Sequence, residues 1–156
     1  MRRSDREIVD SGKMDEIISR CHCCRLGFYD GEEVYIVPLN FGFCRQERNR
    51  HFYFHSAKEG RKIELITKAP KVSFELDTGY ALQPGETACQ HSARYQSVMG
   101  VGRVSLVEDA REKEAALQLI MQHNTGKGDW AFSPAMLDCV CVFQLEVEKI
   151  SCKEHV

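Results

Sequence analysis

The chain has 156 residues, 43% of them apolar and 28% charged, and a formal net charge of −2 at pH 7. That is the size of one domain with a full core, so a single domain spanning 1–156 is expected. The mixed charge gives no basic stripe for a nucleic acid. No apolar run reaches the roughly eighteen residues of a membrane span.

The charged start, Met1-Arg2-Arg3-Ser4-Asp5-Arg6-Glu7, has no apolar stretch behind it. It does not read as a secretory signal, and a cytoplasmic location is expected. Lys13 to Cys21 reads as a helix with Ile17 and Ile18 as its apolar contacts. Cys24 to Phe28 reads as a strand and Tyr29-Asp30-Gly31-Glu32 as a turn, because Asp-Gly tolerates positive φ. Val34 to Phe41 is the returning strand of a hairpin. Pro38 has no N–H for a ladder and marks an edge, bulge or break there.

Arg45 to Arg50 reads as a polar turn, His51 to His55 as a strand and Ala57 to Lys68 as a helix. Ser56 with Glu59 three residues later has the spacing of a capping box. A helix start offers free N–H groups and partial positive charge to an anion. Lys58, Arg61 and Lys62 add three cations on one helical face. Cations oppose the helix dipole at this end, so a bound phosphate would compensate them. A solvated basic face is the plainer alternative. The order of strand, hydroxyl and basic first turn favours the phosphate cradle of a nucleotide-type cofactor.

Val72 to Leu76 alternates apolar and polar residues, as a half-buried strand does. Gly79 to Ala93, with Pro84, Gly85, Cys89 and His91, reads as a long functional or mobile loop. Tyr95 to Val107 is a strand whose Gly100 and Gly102 mark a bulge or a close approach. Ala110 to His123 is the clearest helix, with Ala116, Leu117, Leu119, Ile120 and His123 as its buried stripe. Asn124-Thr125-Gly126 ends it. His123 is expected to be a core histidine. Trp130 sits in a loop from Lys127 to Pro134, where it and Phe132 either cover a ligand or simply pack. Val140 to Val147 is the last strand.

The eight cysteines include Cys21-His22-Cys23-Cys24 and Cys139-Val140-Cys141. A zinc site wants a second C-x-x-C, which is missing, so no metal is expected. Cys139 and Cys141 are placed on one face of a strand. The whole reads as mainly β with α (α+β), an antiparallel barrel with peripheral helices.

Several segments then carry a family pattern: Met1-Arg2-Arg3-Ser4-Asp5-Arg6-Glu7-Ile8, Tyr35-Ile36-Val37-Pro38-Leu39-Asn40-Phe41-Gly42, Tyr53-Phe54-His55-Ser56-Ala57-Lys58-Glu59-Gly60-Arg61-Lys62 and Tyr95-Gln96-Ser97-Val98-Met99-Gly100-Val101-Gly102. In this order the chain resembles the split-barrel flavoproteins related to pyridoxamine 5′-phosphate oxidase, nearest the nitroimidazole-resistance (Nim-type) branch. The resemblance implies an antiparallel split β-barrel and a homodimer with FMN at the interface. It implies a flavin ring along Val37, Pro38, Leu39 and Asn40. The phosphate contacts it implies are Ser56, Arg61, Lys62 and Ser97, with Lys58 and His55 beside them.

It also implies an FMN-dependent oxidoreductase using a small-molecule electron donor and small acceptors such as nitroaromatic, 5-nitroimidazole-type compounds. The alternative is a non-catalytic flavin- or haem-binding module serving as carrier, sensor or store. Asn40 stands where the oxidase has a basic residue and His55 where it has an aromatic hydroxyl, so oxidation of pyridoxamine phosphate itself is not expected. Ser151-Cys152-Lys153 departs from the family's Thr-Gly-Lys ending. His55 is the candidate catalytic proton donor, because histidine titrates near neutrality. A structural hydrogen bond to phosphate or backbone is preferred until geometry supports acid–base chemistry.

Overall fold

The computed structural model describes residues 4–156, so Met1-Arg2-Arg3 of the pattern lie outside the described residues. A short 3-10 turn at Ser4–Arg6 leads into β1 (Glu7–Ile8) and α1 (Ser11–Arg20). Then come β2 (Cys24–Tyr29), β3 (Val34–Leu39), β4 (Gly42–Gln46), β5 (Asn49–Ser56) and α2 (Arg61–Lys68). The second half holds β6 (Lys71–Gln83), β7 (Ser92–Val107), α3 (Ala110–Thr125), α4 (Pro134–Cys139) and β8 (Cys141–His155).

Among the described residues the strands form one antiparallel sheet in the order β3-β2-β6-β7-β8-β5-β4, with β1 added on β8. Its two outermost strands, β3 and β4, are joined through Asn40 and Phe41 alone. A three-residue step spans about 10 Å at most. The sheet therefore curls until one end of each edge meets the other, which is the expected split barrel.

Alternation fills the interior. Cys24, Leu26 and Phe28 of β2 point inward, as do Phe52 and Phe54 of β5. Phe52 packs at 5.4 Å from both Phe41 and Phe74, and Phe54 stacks on Phe143 at 5.1 Å. Aromatic pairs at such distances add to their area burial. Removing one of these buried rings would cost about 3–5 kcal/mol. A second, smaller apolar cluster joins Ala116, Leu117 and Ile120 of α3 to Val107 and Val142. Gly42 lets α3 come close, because a Cβ there would lie 2.5 Å from the Ile120 nitrogen.

Several boundaries differ from the sequence reading. A strand at 42–46 takes in residues 42–44, for which no element was expected, and the start of the expected polar turn at 45–50, and the turn itself is only Glu47-Arg48, with Glu47 at φ 55. The expected helix at 57–68 starts at Arg61. Ser56 is the last residue of β5, held opposite Cys141, and Gly60 at φ 123 makes the entry. The Ser56–Glu59 capping box is therefore not formed, because pairing with β8 keeps Ser56 in the strand. The expected loop 79–93 is in part a ribbon: Ala81 to Gln83 pair with Ser92 to Arg94 beyond a bulge after Thr78, which leaves a loop at 84–91. Cys139 ends α4 rather than sharing a strand face with Cys141, since a Ser133-capped helical turn intervenes. β8 runs on to His155 because β7 and β1 flank it there.

Candidate functional site

The start of α2 has features that suit an anion. Gly60 makes the N-cap without any side-chain cap, and its carbonyl accepts from Ile63 N at 2.9 Å. Lys62 Nζ donates to Ser56 Oγ at 2.8 Å. A half-buried ammonium and a hydroxyl thus meet beside uncapped helix N–H groups, a combination that suits phosphate. Lys58 lies in the exposed loop between β5 and α2.

Arg61 has a different task. Its guanidinium donates to Asp30 Oδ2 at 2.9 Å and also pairs with Glu33. It lies 5.0 Å over the Tyr35 ring. Asp30 accepts the backbone N–H groups of Glu33 and Glu32, and with the added Arg61 contact its carboxyl falls to about 2. Charge compensation at Arg61 is therefore supplied by the β2–β3 turn. The same contact ties the α2 start to β3, the strand expected to carry a flavin ring.

Val37, Pro38 and Leu39 lie on β3, an end of the sheet order paired with β2. Val37 and Leu39 lean on the core. Asn40 follows the strand, and its Nδ2 donates to His22 O at 3.1 Å and Asn124 Oδ1 at 3.2 Å. Asn124 in turn donates to Phe41 O at 3.0 Å. Asn40 therefore fixes the seam of the barrel at the point where β3 passes into β4.

His55 stands opposite Val142 with its side chain on the face away from the barrel core. Partial burial, and then the nearby Lys62 charge, hold its pKa below the ordinary histidine value. The imidazole is thus neutral near pH 7 and has one N–H to give. Ser97 is elsewhere. Ser56 sits opposite Cys141 on β8, and Ser97 sits opposite Lys153. That separation is about 40 Å of extended strand. One chain brings together His55, Ser56, Arg61 and Lys62 but leaves Ser97 at the far end.

Three other singled-out groups have partners within the chain. His123 Nε2 meets Cys21 O at 2.8 Å, and its ring lies 4.2 Å from Phe41. His91 Nδ1 meets Thr87 O at 3.0 Å within its own loop. Trp130 Nε1 donates to Lys127 O at 2.8 Å. Burial pushes the Cys21 thiol up to about 12 and raises that of Cys24 as well, so both behave as small hydrophobes. The residues that sequence reasoning missed are Asp30, Glu33 and Tyr35. Their only local signal was the Asp-Gly turn.

An apolar groove of about 740 Å³ crosses the outer face of β2, β3, β6, β7 and β8. Gly27 and Gly100 floor it, and Val34, Ile36, Met99 and Ile150 line it. Ile36 is 63% exposed there, unusual for a large aliphatic side chain.

Residues 10–154 match the family model described as pyridoxamine 5′-phosphate oxidase. Among solved structures, a candidate 5-nitroimidazole antibiotic resistance protein of Bacteroides thetaiotaomicron is 32% identical, over 95% of this chain and 86% of that one, with a TM-score of 0.81. The flavocytochrome Anf3 of Azotobacter vinelandii matches with a TM-score of 0.81 at 17% identity, over 100% of this chain and 72% of that one. An FAD-binding protein of Mesorhizobium loti matches with a TM-score of 0.66 at 21% identity, over 95% and 96% of the two chains. These last two share the fold. No curated protein matches the chain in sequence.

Proposed function

The chain belongs to the pyridoxamine 5′-phosphate oxidase family, and from that premise we propose that it binds FMN and reduces small electron acceptors such as nitroaromatic compounds. The observation that carries this is the Lys62–Ser56 pair at the uncapped start of α2, tied through Arg61 and Tyr35 to β3. A terminal phosphate fits the first and a flat ring the second. FMN is favoured over FAD because the site offers Lys62 and helix N–H groups to a phosphate end.

When bound, the flavin supplies the electron chemistry. Reduction of a nitro group to a nitroso group takes two electrons and two protons and releases water. A nicotinamide supplies hydride, and one further proton comes from solvent or a side chain. His55, neutral near pH 7, is the candidate to donate a hydrogen bond from its N–H to the nitro oxygen, and it delivers that proton only from its imidazolium form. The sequence has no Gly-rich dinucleotide fingerprint, so the nicotinamide is a transient visitor. The 32% identity to the Bacteroides protein supports nitroaromatic acceptors.

The site closes in a homodimer. The outer apolar groove needs cover, closed two-fold dimers are the commonest assembly, and Ser97 meets a phosphate at Ser56 only when a second chain supplies it. The protein as purified should be yellow, release FMN by mass, and oxidise NADH or NADPH in the presence of a nitroaromatic. Flavin without turnover on any donor would favour a carrier or sensor. A Soret band in place of the flavin spectrum would favour haem and refute the reading.

A further inference from the structure

A second cavity, of about 210 Å³, lies between β5, α3 and α4. Leu117, Ile120 and Met121 of α3 form one wall, and Phe132 with Met136 of α4 form the other. His55 is the titratable side chain on its lining. Dry cavities of about 150 Å³ hold a benzene, whereas drug-sized ligands take about 300–1,000 Å³. The space therefore suits one substituted ring and is too small for a three-ring flavin or a porphyrin. Methionines adapt to a flat guest, and Phe132 offers an aromatic edge.

Its position relates it to the cofactor site. Met121 lies one helical turn before Asn124, about 4.5 Å along the axis. Asn124 bonds Asn40 and Phe41 where β3 ends. The α4 wall is a separate flap: Ser133 caps it at Met136 N, 3.3 Å away. Lys113 Nζ holds its far end through Leu137 O at 2.8 Å and Val140 O at 3.0 Å. This six-residue helix is held by Lys113 and by Leu137 and Val140, which pack on the Val107–Val142 cluster.

We infer that this cavity seats a single aromatic ring with a hydrogen-bond-accepting substituent turned to His55. The ring's role as electron acceptor rests on the function proposed above; its binding does not. The test is calorimetric titration of the full chain with nitrobenzene, toluene and 1-nitronaphthalene, with methionine methyl resonances recorded in parallel.

Nitrobenzene should bind one per chain and shift the Met121 and Met136 methyls. Toluene, which lacks the acceptor, should bind about fivefold more weakly, and His55→Ala should reduce nitrobenzene to that level. 1-Nitronaphthalene should leave both methyls in place. Val140→Phe should fill the cavity and lower affinity by tenfold or more. Met136→Trp, made at an exposed position and safe for folding, should do the same from the flap. Unchanged binding in both variants, or equal binding of the two-ring compound, would overturn the inference. Nitrobenzene binding by a chain that takes no flavin would sink the proposed function and leave the cavity. Flavin-dependent nitro reduction without the methyl shifts would do the reverse.

Discussion

Lys62→Met is the sharpest test of the phosphate assignment. The Lys62 ammonium is half-buried, and its partner at 2.8 Å is a neutral hydroxyl, Ser56 Oγ. A phosphate arriving there gains a charge-assisted hydrogen bond, worth about 1.5–3 kcal/mol. Losing it should raise the FMN dissociation constant by roughly 10- to 150-fold. Ser56→Ala removes a neutral partner and should cost about fivefold.

Arg61→Met should cost less through the phosphate, since Asp30 and Glu33 already hold that guanidinium, and should instead loosen the β2–β3 turn. The assay is quenching of flavin fluorescence by wild type and variants, with FMN and riboflavin titrated at one fixed salt concentration. Riboflavin lacks the phosphate and should bind wild type and Lys62→Met alike. Parallel losses for both ligands, or none for either, would refute the reasoning.

Three further outcomes are expected. Gly42→Ala drives a Cβ to 2.5 Å from Ile120 N and 2.6 Å from Leu119 C, both backbone atoms, so α3 must shift. The cost is about 1–3 kcal/mol, seen as a lower melting temperature, whereas Gly27→Ala, with its nearest neighbour at 3.8 Å, should stay close to wild type. His55 has its folded pKa below the unfolded value of 6.5. The unfolded chain therefore takes up a proton first as pH falls, and stability declines from about pH 6.5 down to the folded pKa. Urea midpoints across that window should fall less in His55→Asn. Ile36→Lys places a charge in the outer groove and should halve the mass found by light scattering while weakening FMN. A dimer that persists unchanged would remove that groove from the interface.

Long helical stripes were legible locally and strand ends set by distant pairing were not, while the short α4 was missed although its Ser133 cap is a local signal. The α3 stripe and its Gly126 end were plain, because helix periodicity and a left-handed glycine at φ 73 are local signals. The segment from His51 to Lys62 was legible as a strand, hydroxyl and basic helix. Its cap was misplaced because β8, some 85 residues onward, keeps Ser56 extended through Cys141. Gly42 to Gln46 has too few apolar residues to signal a strand, and packing under α3 decides it. Gly79, Pro84 and Gly85 look like loop residues, yet cross-strand pairing carries β6 to Gln83. For Arg61, sequence showed a cation near a helix start. Only the fold reveals that two carboxylates from the β2–β3 turn are waiting for it.

That pairing changes how the site should be understood. Three cations on a short helix suggested that each awaited an anion. The fold divides their labour instead. Arg61 spends its charge within the protein and holds the α2 start against β3 through Tyr35. Lys62 stays with a hydroxyl and remains a cation available for exchange, with Lys58 in the exposed loop just before the helix. At the other end of β3, Asn40 is pinned to Asn124 on α3, the helix that also walls the His55 cavity. One edge strand is thus clamped at both ends, by the helix start that suits a phosphate and by the helix that borders a ring-sized cavity. A flat cofactor laid along β3 would bridge the two. Displacing α3 would then move the seam and the cavity wall together, which is why the glycine that lets α3 approach β4 matters to the site as well as to the fold.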